Sequence, residues 1–334
     1  MDERLDSGTK RRQAVVAWLS IALIVLGAGL LVWYRSSNER RQREIARAGT
    51  VPLTDPEPTG AVCRAGMDIP CPLDAPGALA VDGEGRIFVG GRGEVVILAA
   101  DGTLEGRFPV KGDVTCLTLD GAGNVYAATR REVRVHDKDG VEKSAWDVFD
   151  AKSVLTSISV AGDKVYVADA GRRAVWVLDA GGGVVRRLVR AGMPQGAFLV
   201  PSPYFDVAGV ESGGVWVADP GRHELVLYSA EGVEQDAWGK AGVEDEAFCG
   251  CCNPCHIALL PGGGFVTGEK GIMRVKRYGR EGEYIEQVAG PACFSRGARM
   301  ADLAVDGGGR ILVLDPDRKR IRVFTLGQGG QNEG

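Results

Sequence analysis

The feature of this sequence that most constrains its fold is a pattern that returns six times between about residues 76 and 326. Each copy holds an apolar segment, a turn, a valine-rich segment and an alternating third segment, at a spacing of roughly 38 to 50 residues. Several short strands per unit at this period predict the blades of a β-propeller, because one small sheet cannot bury both faces without neighbours. The ends of five of the apolar segments, which we interpret as inner strands, align at Val81, Leu119, Val160, Leu260 and Val305.

Composition agrees with many short strands joined by tight turns. The chain has 334 residues, of which 49 are glycine and 45% are hydrophobic. The glycine content is about twice the usual share, and the glycines do not recur at every third position, so collagen is excluded. The 40 basic and 44 acidic residues are close to balance. No clustered basic face is visible, which argues against a nucleic-acid partner.

The third and fourth copies give the repeat its sharpest form. The third reads Val-Tyr-Val-Ala-Asp-Ala-Gly-Arg-Arg-Ala-Val-Trp-Val over residues 165–177, and the fourth reads Val-Trp-Val-Ala-Asp-Pro-Gly from Val215. This pattern resembles the repeat of NHL-repeat propellers over about residues 76–326. The resemblance implies an all-β, six-bladed, NHL-like propeller, and it implies fold more than chemistry. A ring of six blades must be closed, and we expect part of residues 50–70 to supply a strand to the last blade.

The N-terminal region predicts a membrane anchor. Residues 14–34 form an apolar run interrupted only by Ser20, long enough to cross the roughly 30 Å hydrocarbon core as a helix. Aromatic residues lie toward both ends, and no small-x-small cleavage site follows, so we expect a single uncleaved transmembrane helix. The predicted division is a short polar N-terminus at 1–12, a transmembrane helix at 13–35, a linker at 36–74, the propeller at 75–327 and a flexible tail at 328–334.

Orientation is less well determined by the flanking charges, which are similar on both sides of the predicted helix. Arg11 and Arg12 directly before the apolar run are a weak match to a twin-arginine export signal. We therefore expect a single-pass protein of the bacterial inner membrane with a periplasmic propeller and a protein partner at the membrane.

Cysteines are concentrated where the chain enters the fifth inner strand. Residues 249–256 read Cys-Gly-Cys-Cys-Asn-Pro-Cys-His and hold four of the eight cysteines. Cys249, Cys252 and Cys255 have the C-x-x-C-x-x-C spacing of iron–sulfur ligands, and Cys293 is the candidate for the fourth. Because inner strands line the central channel of a propeller, the repeat register places this cluster at one mouth of the channel.

Other chemistries remain open for the same residues. Cys252, Cys255 and His256 match the C-x-x-C-H pattern of c-type haem attachment, although the motif leads into a strand rather than a helix. A Zn²⁺ site could use any four of Cys249, Cys251, Cys252, Cys255, His256 and Cys293. The cysteines could also form structural disulfides with no cofactor, and Cys63 could pair with Cys71 in an oxidising compartment.

The remaining candidates carry weaker signals. His223 lies in a variable turn of the repeat and is expected at the surface, and Cys116 is expected in the core. No Ser-His-Asp order or phosphate-binding loop is present, so hydrolase or lyase activity is not favoured, although Asp206, Glu269 and Asp302 could hold Ca²⁺. The sequence thus favours electron transfer or redox sensing with a membrane partner, and the alternative is a non-enzymatic interaction scaffold braced by disulfides.

Overall fold

The computed structural model describes residues 68–294 and 298–326. Within these ranges the chain forms six four-stranded antiparallel sheets. The innermost strands of successive sheets contact each other in order, and the first contacts the last, so the sheets close into a ring. The all-β, six-bladed propeller predicted from the repeat is confirmed.

The strands follow the chain from the centre of each blade outward. Blade 1 comprises β2 (Ala78–Val81), β3 (Ile87–Gly90), β4 (Arg92–Leu98) and β5 (Leu104–Asp113). Blade 2 comprises β6 (Cys116–Leu119), β7 (Val125–Ala128), β8 (Val133–His136) and β9 (Glu142–Trp146). Blade 3 comprises β10 (Leu155–Ala161), β11 (Lys164–Asp169), β12 (Ala174–Asp179) and β13 (Val184–Leu188).

The second half of the ring repeats this order. Blade 4 comprises β14 (Val207–Gly209), β15 (Val215–Asp219), β16 (Glu224–Tyr228) and β17 (Glu234–Trp238). Blade 5 comprises β18 (His256–Leu259), β19 (Phe265–Glu269), β20 (Arg274–Tyr278) and β21 (Tyr284–Ala289). Blade 6 contains β22 (Asp302–Val305), β23 (Ile311–Asp315) and β24 (Arg320–Phe324). Two short 3₁₀ segments, Pro194–Gly196 and Pro291–Cys293, lie in loops.

The ring is closed by β1 (Ile69–Pro70), which pairs antiparallel with β24 and is the outermost strand of blade 6. Ile69 lies opposite Ile321 in this pairing. The closing strand falls within the segment 50–70 in which the sequence analysis placed it. The predicted transmembrane helix, the rest of the linker and the C-terminal tail lie outside the described residues. In the part of the chain that the structure describes, no helix has the length and apolar character needed to span a membrane.

The second strand of each blade forms the core, because it packs against neighbouring blades on both faces. Its central residues are fully buried, as at Val89, Val167 and Val313. This explains why the sequence shows continuous apolar runs at these strands, whereas an outermost strand such as β9 is mostly polar.

The turn between β2 and β3 shows how an aspartate and a glycine form a tight turn between two strands of a blade. Asp82 Oδ1 accepts the N–H groups of Glu84 and Arg86, and Gly85 adopts φ +82°.

Polar side chains near the start of four inner strands link their blades to the next. Thr115 Oγ donates to the carbonyl of Leu155, and Thr156 Oγ donates to that of Phe205. Two carboxylates make the equivalent links by accepting backbone N–H groups: Asp206 binds Ile257 and Asp302 binds Leu79. Asp302 therefore bridges blade 6 and blade 1, at the point where the ring closes.

Candidate functional site at the channel mouth

The candidate site is built on residues 239–255, which connect β17 of blade 4 to β18 of blade 5 and which we call the mouth loop. The mouth loop contains no regular strand, but Ala241 and Phe248 form an isolated bridge, and Phe248 N–H donates to the Lys240 carbonyl at 2.9 Å. Gly239 begins it with φ +116°, and a Cβ at this position would lie 2.5 Å from the His223 carbonyl oxygen. Only glycine fits this turn without strain.

A fully buried lysine holds the mouth loop from beneath. Lys276, on β20, donates from Nζ to the carbonyls of Asp245 at 2.9 Å and Ala247 at 2.6 Å. Its Nζ also lies 2.5 Å from Glu269 Oε1, and burial lowers the pKa of Lys276. Glu269 Oε2 in turn accepts a hydrogen bond from Cys249 N–H at 3.2 Å. Lys276 and Glu269 thus supply the hydrogen-bond partners that these backbone groups of the loop would otherwise find in water.

Asn253 fixes the second half of the mouth loop. Its Nδ2 donates to the carbonyls of Cys249 and Lys270, and its Oδ1 accepts the Lys270 N–H at 2.9 Å. Asn253 is 2% exposed, so these bonds satisfy a buried amide. As a result, the cysteine-rich segment is docked onto the turn that follows β19.

Two adjacent cysteines form the most reactive arrangement in this segment. The Sγ atoms of Cys251 and Cys252 lie 3.0 Å apart. Cys251 is exposed, whereas Cys252 is 2% exposed. Ser202 Oγ donates to Cys252 Sγ at 3.3 Å, and Lys270 Nζ donates to Ser202 Oγ at 2.5 Å. An ammonium group and a hydroxyl therefore converge on one sulfur of the pair.

This environment favours the thiolate of Cys252. Burial opposes ionisation, but hydrogen bonds from Lys270, Ser202 and Cys251 outweigh it, and the pKa of Cys252 is lowered. The pKa of Cys251 is raised, first because its thiol shares a hydrogen bond with Cys252. When the pair loses one proton, the remaining proton lies between the two sulfurs and the negative charge is favoured on the inner one.

The other cysteines have separate surroundings. Cys255 is fully buried and its Sγ donates to the Gly268 carbonyl at 3.2 Å, and burial raises its pKa. Cys249 is buried close to Arg274 and Lys276. Cys293, the candidate fourth ligand, is disulfide-bonded. Cys71 is a free buried thiol, so the expected pairing of Cys63 with Cys71 is wrong. Cys116 lies in the core as predicted.

Two of the predicted ligands are engaged in other contacts in this arrangement. Cys293 has no thiolate to offer while it is disulfide-bonded, and Cys255 holds its proton against a backbone carbonyl. Across residues 68–294 and 298–326, no three His, Cys, Asp or Glu side chains converge on a position where they could hold a metal ion. The iron–sulfur, zinc, haem and Ca²⁺ interpretations remain predictions from residue type and spacing.

His256 lies on the inner strand of blade 5, between two carboxylates of neighbouring blades. Its Nδ1 is 3.6 Å from Asp206 Oδ2 and 3.8 Å from Asp302 Oδ1. Burial opposes its charged form, but the hydrogen bond and charge of Asp206 outweigh this, so the pKa of His256 is raised. Burial raises the pKa of Asp302 to about 7. The three groups tie blades 4, 5 and 6 together.

A cavity of about 230 Å³ opens beside this group at the channel mouth. It is lined by residues from several blades, among them Thr115, Leu155, Tyr204, Cys255 and His256. The Tyr204 ring lies edge-on to the His256 ring at 6.0 Å and carries Lys270 Nζ over its face at 4.4 Å. The placement of Cys255 and His256 at the mouth agrees with the repeat register.

His223 is a correction to the sequence analysis. It was expected at the surface, but it is 3% exposed and its Nε2 lies 2.8 Å from the Gly250 carbonyl oxygen. The mouth loop covers the turn that carries it. The roles of Ser202, Lys270 and Lys276 were also missed, since nothing in the repeat indicates that their side chains turn toward this loop.

No family model and no curated protein matches this sequence. Solved structures share the fold. The WD40 β-propeller domain of Doa1 is 15% identical with a TM-score of 0.55, over 75% of this chain and 79% of that one. A catalytically inactive virginiamycin B lyase from Staphylococcus aureus with quinupristin is 14% identical with a TM-score of 0.54, over 74% and 80%. A streptogramin B lyase is 14% identical with a TM-score of 0.53, over 78% and 87%. At these identities the likeness shows the propeller fold alone.

Proposed function

We propose that this chain is a membrane-tethered interaction scaffold that presents the mouth loop to a protein partner at the bacterial inner membrane. The observation that supports this most is the mouth loop itself, a long connection without strands that is nevertheless fixed from beneath by Lys276. Connections of this length in compact domains are usually functional, because structureless chain is otherwise kept short.

The outer edge of the mouth loop offers a surface suited to binding. Val243 is 55% exposed, and the next three residues, Glu244, Asp245 and Glu246, are exposed acids. Glu246 pairs with Lys240 at 3.0 Å. An exposed apolar side chain beside acidic groups favours a partner with a basic patch around an apolar contact, because complementary charge guides association.

The tether and the location come from the sequence. The predicted helix at 13–35 would hold the propeller at the membrane, and the linker at 36–74 would set its distance from the bilayer. The propeller would face the periplasm. A tethered scaffold meets membrane partners at high effective concentration, so a modest affinity would suffice.

Photo-crosslinking in the membrane tests this proposal. A photo-reactive amino acid replaces Val243 in the full-length protein, and the matched control replaces Val184, which is 48% exposed on the outermost strand of blade 3. We expect a discrete crosslinked adduct from position 243 and none from 184. Absence of an adduct at 243, or the same adducts from both positions, would reject the mouth loop as the binding surface.

A second candidate is redox sensing, and the Cys251–Cys252 contact at 3.0 Å is the observation that favours it. The other redox function considered for these cysteines is electron transfer through a bound metal or iron–sulfur cluster. Metal analysis and a visible spectrum of full-length protein purified without oxygen would test that function. Stoichiometric iron and sulfide would support a cluster, whereas colourless, metal-free protein would reject it.

A further inference from the structure

We propose that Cys251 and Cys252 form a dithiol that exchanges with low-molecular-weight disulfides at the channel mouth. This inference deepens the redox-sensing candidate by naming its reaction, and it does not depend on the scaffold having a partner. It goes beyond a metal site, since the reaction needs only these two sulfurs and an external disulfide.

The geometry brings both sulfurs together and leaves one accessible. The two Sγ atoms are 3.0 Å apart, and a disulfide bond is roughly 2.0 Å long. The Cα atoms of adjacent residues are only about 3.8 Å apart, which is less than disulfides usually have, so the bond is strained and easily reduced again. Cys251 is exposed and can meet an external disulfide, whereas Cys252 is buried behind it. This separates the roles: Cys251 is the sulfur that the substrate reaches, and Cys252 is the sulfur that resolves the intermediate.

Ser202 and Lys270 supply the polar environment that such a pair requires. Lys270 Nζ donates to Ser202 Oγ at 2.5 Å, and Ser202 Oγ donates to Cys252 Sγ at 3.3 Å. The ammonium group stabilises negative charge on the sulfur, and the thiolate is the form that reacts.

The reaction proceeds in two exchange steps. In the singly ionised pair the charge is favoured on Cys252, so a proton must first pass from Cys251 to Cys252 in a minor fraction of molecules, and the exposed Cys251 thiolate then attacks one sulfur of the external disulfide. The external S–S bond breaks, a mixed disulfide forms on Cys251, and the first half leaves as a thiolate that is protonated by water. Cys252 then loses its proton to water and attacks Cys251 Sγ, which releases the second half as a thiol. Two protein thiols are oxidised to a disulfide, and one external disulfide is reduced to two thiols.

Neighbouring thiols are poor competitors for this reaction. Cys255 is fully buried, its pKa is raised by burial, and its Sγ is engaged with the Gly268 carbonyl. Cys116 is buried in the core and its pKa is also raised by burial. Selectivity for Cys251 and Cys252 therefore follows from exposure and charge rather than from the number of cysteines nearby.

The test treats the reduced full-length protein in detergent with oxidised glutathione and follows the peptide that contains both cysteines by mass spectrometry. We expect wild type to lose two hydrogens from this peptide and to carry no lasting glutathione. Cys252→Ser should accumulate a stable glutathione adduct on Cys251, because the resolving sulfur is absent. Cys251→Ser should lose most of the reaction.

Lys270→Met should slow the exchange at least about tenfold, since the ammonium that stabilises the thiolate is gone. Lys270→Arg should restore part of the rate. Lys240→Met is the matched control, because Lys240 is an exposed lysine of the mouth loop that pairs with Glu246. Circular dichroism and thermal melting would confirm that each variant folds.

Two results would overturn the proposal: a lasting glutathione adduct on wild-type protein, or no adduct on Cys252→Ser. The scaffold proposal is tested separately. If the disulfide forms and no crosslink appears at position 243, the exchange site stands and the scaffold proposal is rejected. If no disulfide forms and crosslinking is normal, the exchange site is rejected and the scaffold stands.

Discussion

The crossing from blade 1 to blade 2 and the crossing from blade 4 to blade 5 connect equivalent strands, yet they are built differently. The first is only Val114 and Thr115, between β5 and β6. Val114 is buried beneath Gly90, whose missing side chain makes room for it, and Thr115 bonds to the next blade. The second is the whole mouth loop. The short crossing only joins two blades, whereas the long one holds four of the cysteines.

One position in the third strand helps to hold the mouth loop in place. Val226 on β16 pairs with Val217, and Lys276 on β20 pairs with Thr267 at the same place in the next blade. Both side chains are fully buried. The valine packs against apolar neighbours, but the lysine must be satisfied, and the carbonyls of the mouth loop satisfy it. The buried ammonium group of Lys276 therefore fixes the backbone of the mouth loop.

The largest effect is expected from Lys276→Met. The substitution removes two hydrogen bonds to loop carbonyls and the contact with Glu269, and it should lower the free energy of unfolding by about 2–4 kcal/mol. Denaturant unfolding followed by tryptophan fluorescence measures the loss, and amide hydrogen exchange should show faster exchange across the mouth loop. Val226→Met is the matched control, and it should leave exchange in that loop unchanged. Equal exchange in the two variants would contradict the role of Lys276.

A pH effect should come from the group around His256. Asp302 holds its proton up to about pH 7 in the folded protein but only to about 3.8 when unfolded, so this group loses stability as pH rises between these values. The raised pKa of His256 acts in the same direction, since its contribution is present below 6.5 and is lost as pH rises through the folded value. Together they should lower stability by roughly 1–3 kcal/mol between pH 5 and pH 8.

Asp302→Asn is the control for this effect. Asparagine keeps an oxygen that can accept the Leu79 N–H but carries no charge, so the fall with pH should be smaller than in wild type. Unfolding at several pH values gives the comparison. A fall of the same size in both proteins would assign the pH dependence to other groups.

A smaller effect is expected from Gly239→Ala. The added Cβ would meet the His223 carbonyl at 2.5 Å, and φ +116° is strained for alanine, so we expect a loss of about 1–2 kcal/mol. Gly121→Ala is the control, because a Cβ there meets no atom within 4 Å. Thermal melting of both variants decides the matter, and equal melting temperatures would show that the start of the mouth loop is not constrained as described.

The smallest effect should come from Lys240→Met. Its ion pair with Glu246 at 3.0 Å is exposed on both sides, and solvent and salt screen such pairs so that they contribute little to stability. Denaturant unfolding should be nearly unchanged from wild type. A loss as large as that of Lys276→Met would mean that surface charge, rather than the buried cation, holds the mouth loop.

The repeat allowed the sheets and their order to be predicted, because burial between blades imposes the same apolar pattern on every copy. It also placed Cys255 and His256 at the start of an inner strand, where β18 begins. It could not predict Lys276. Charged residues also occur at this strand position in blades 2 and 6, where Arg134 and Arg322 pair with acids near the blade edge. The sequence does not show that Lys276 binds two carbonyls of the mouth loop, just as Arg322 donates to the Cys293 carbonyl in the connection before its own blade.

The chemistry of the cysteines was harder to predict for a related reason. Sequence spacing treats Cys249, Cys252 and Cys255 as equivalent, but their partners come from distant segments: Glu269 and Lys276, then Ser202 and Lys270, then Gly268. Burial and charge differ among the sulfurs although the spacing is regular. His223 was misplaced for the same reason, since its cover is a loop that follows it in sequence.

The most direct test of this account is the rate at which each thiol of the folded, reduced, full-length protein reacts with an alkylating reagent, resolved by peptide mass spectrometry. The account predicts that the exposed Cys251 is labelled first, whereas the buried Cys71, Cys116 and Cys255 are labelled only when the protein unfolds. Labelling of Cys255 or Cys116 as fast as Cys251 in the folded protein would contradict it. That result would mean that the mouth loop does not separate one reactive pair from the buried thiols.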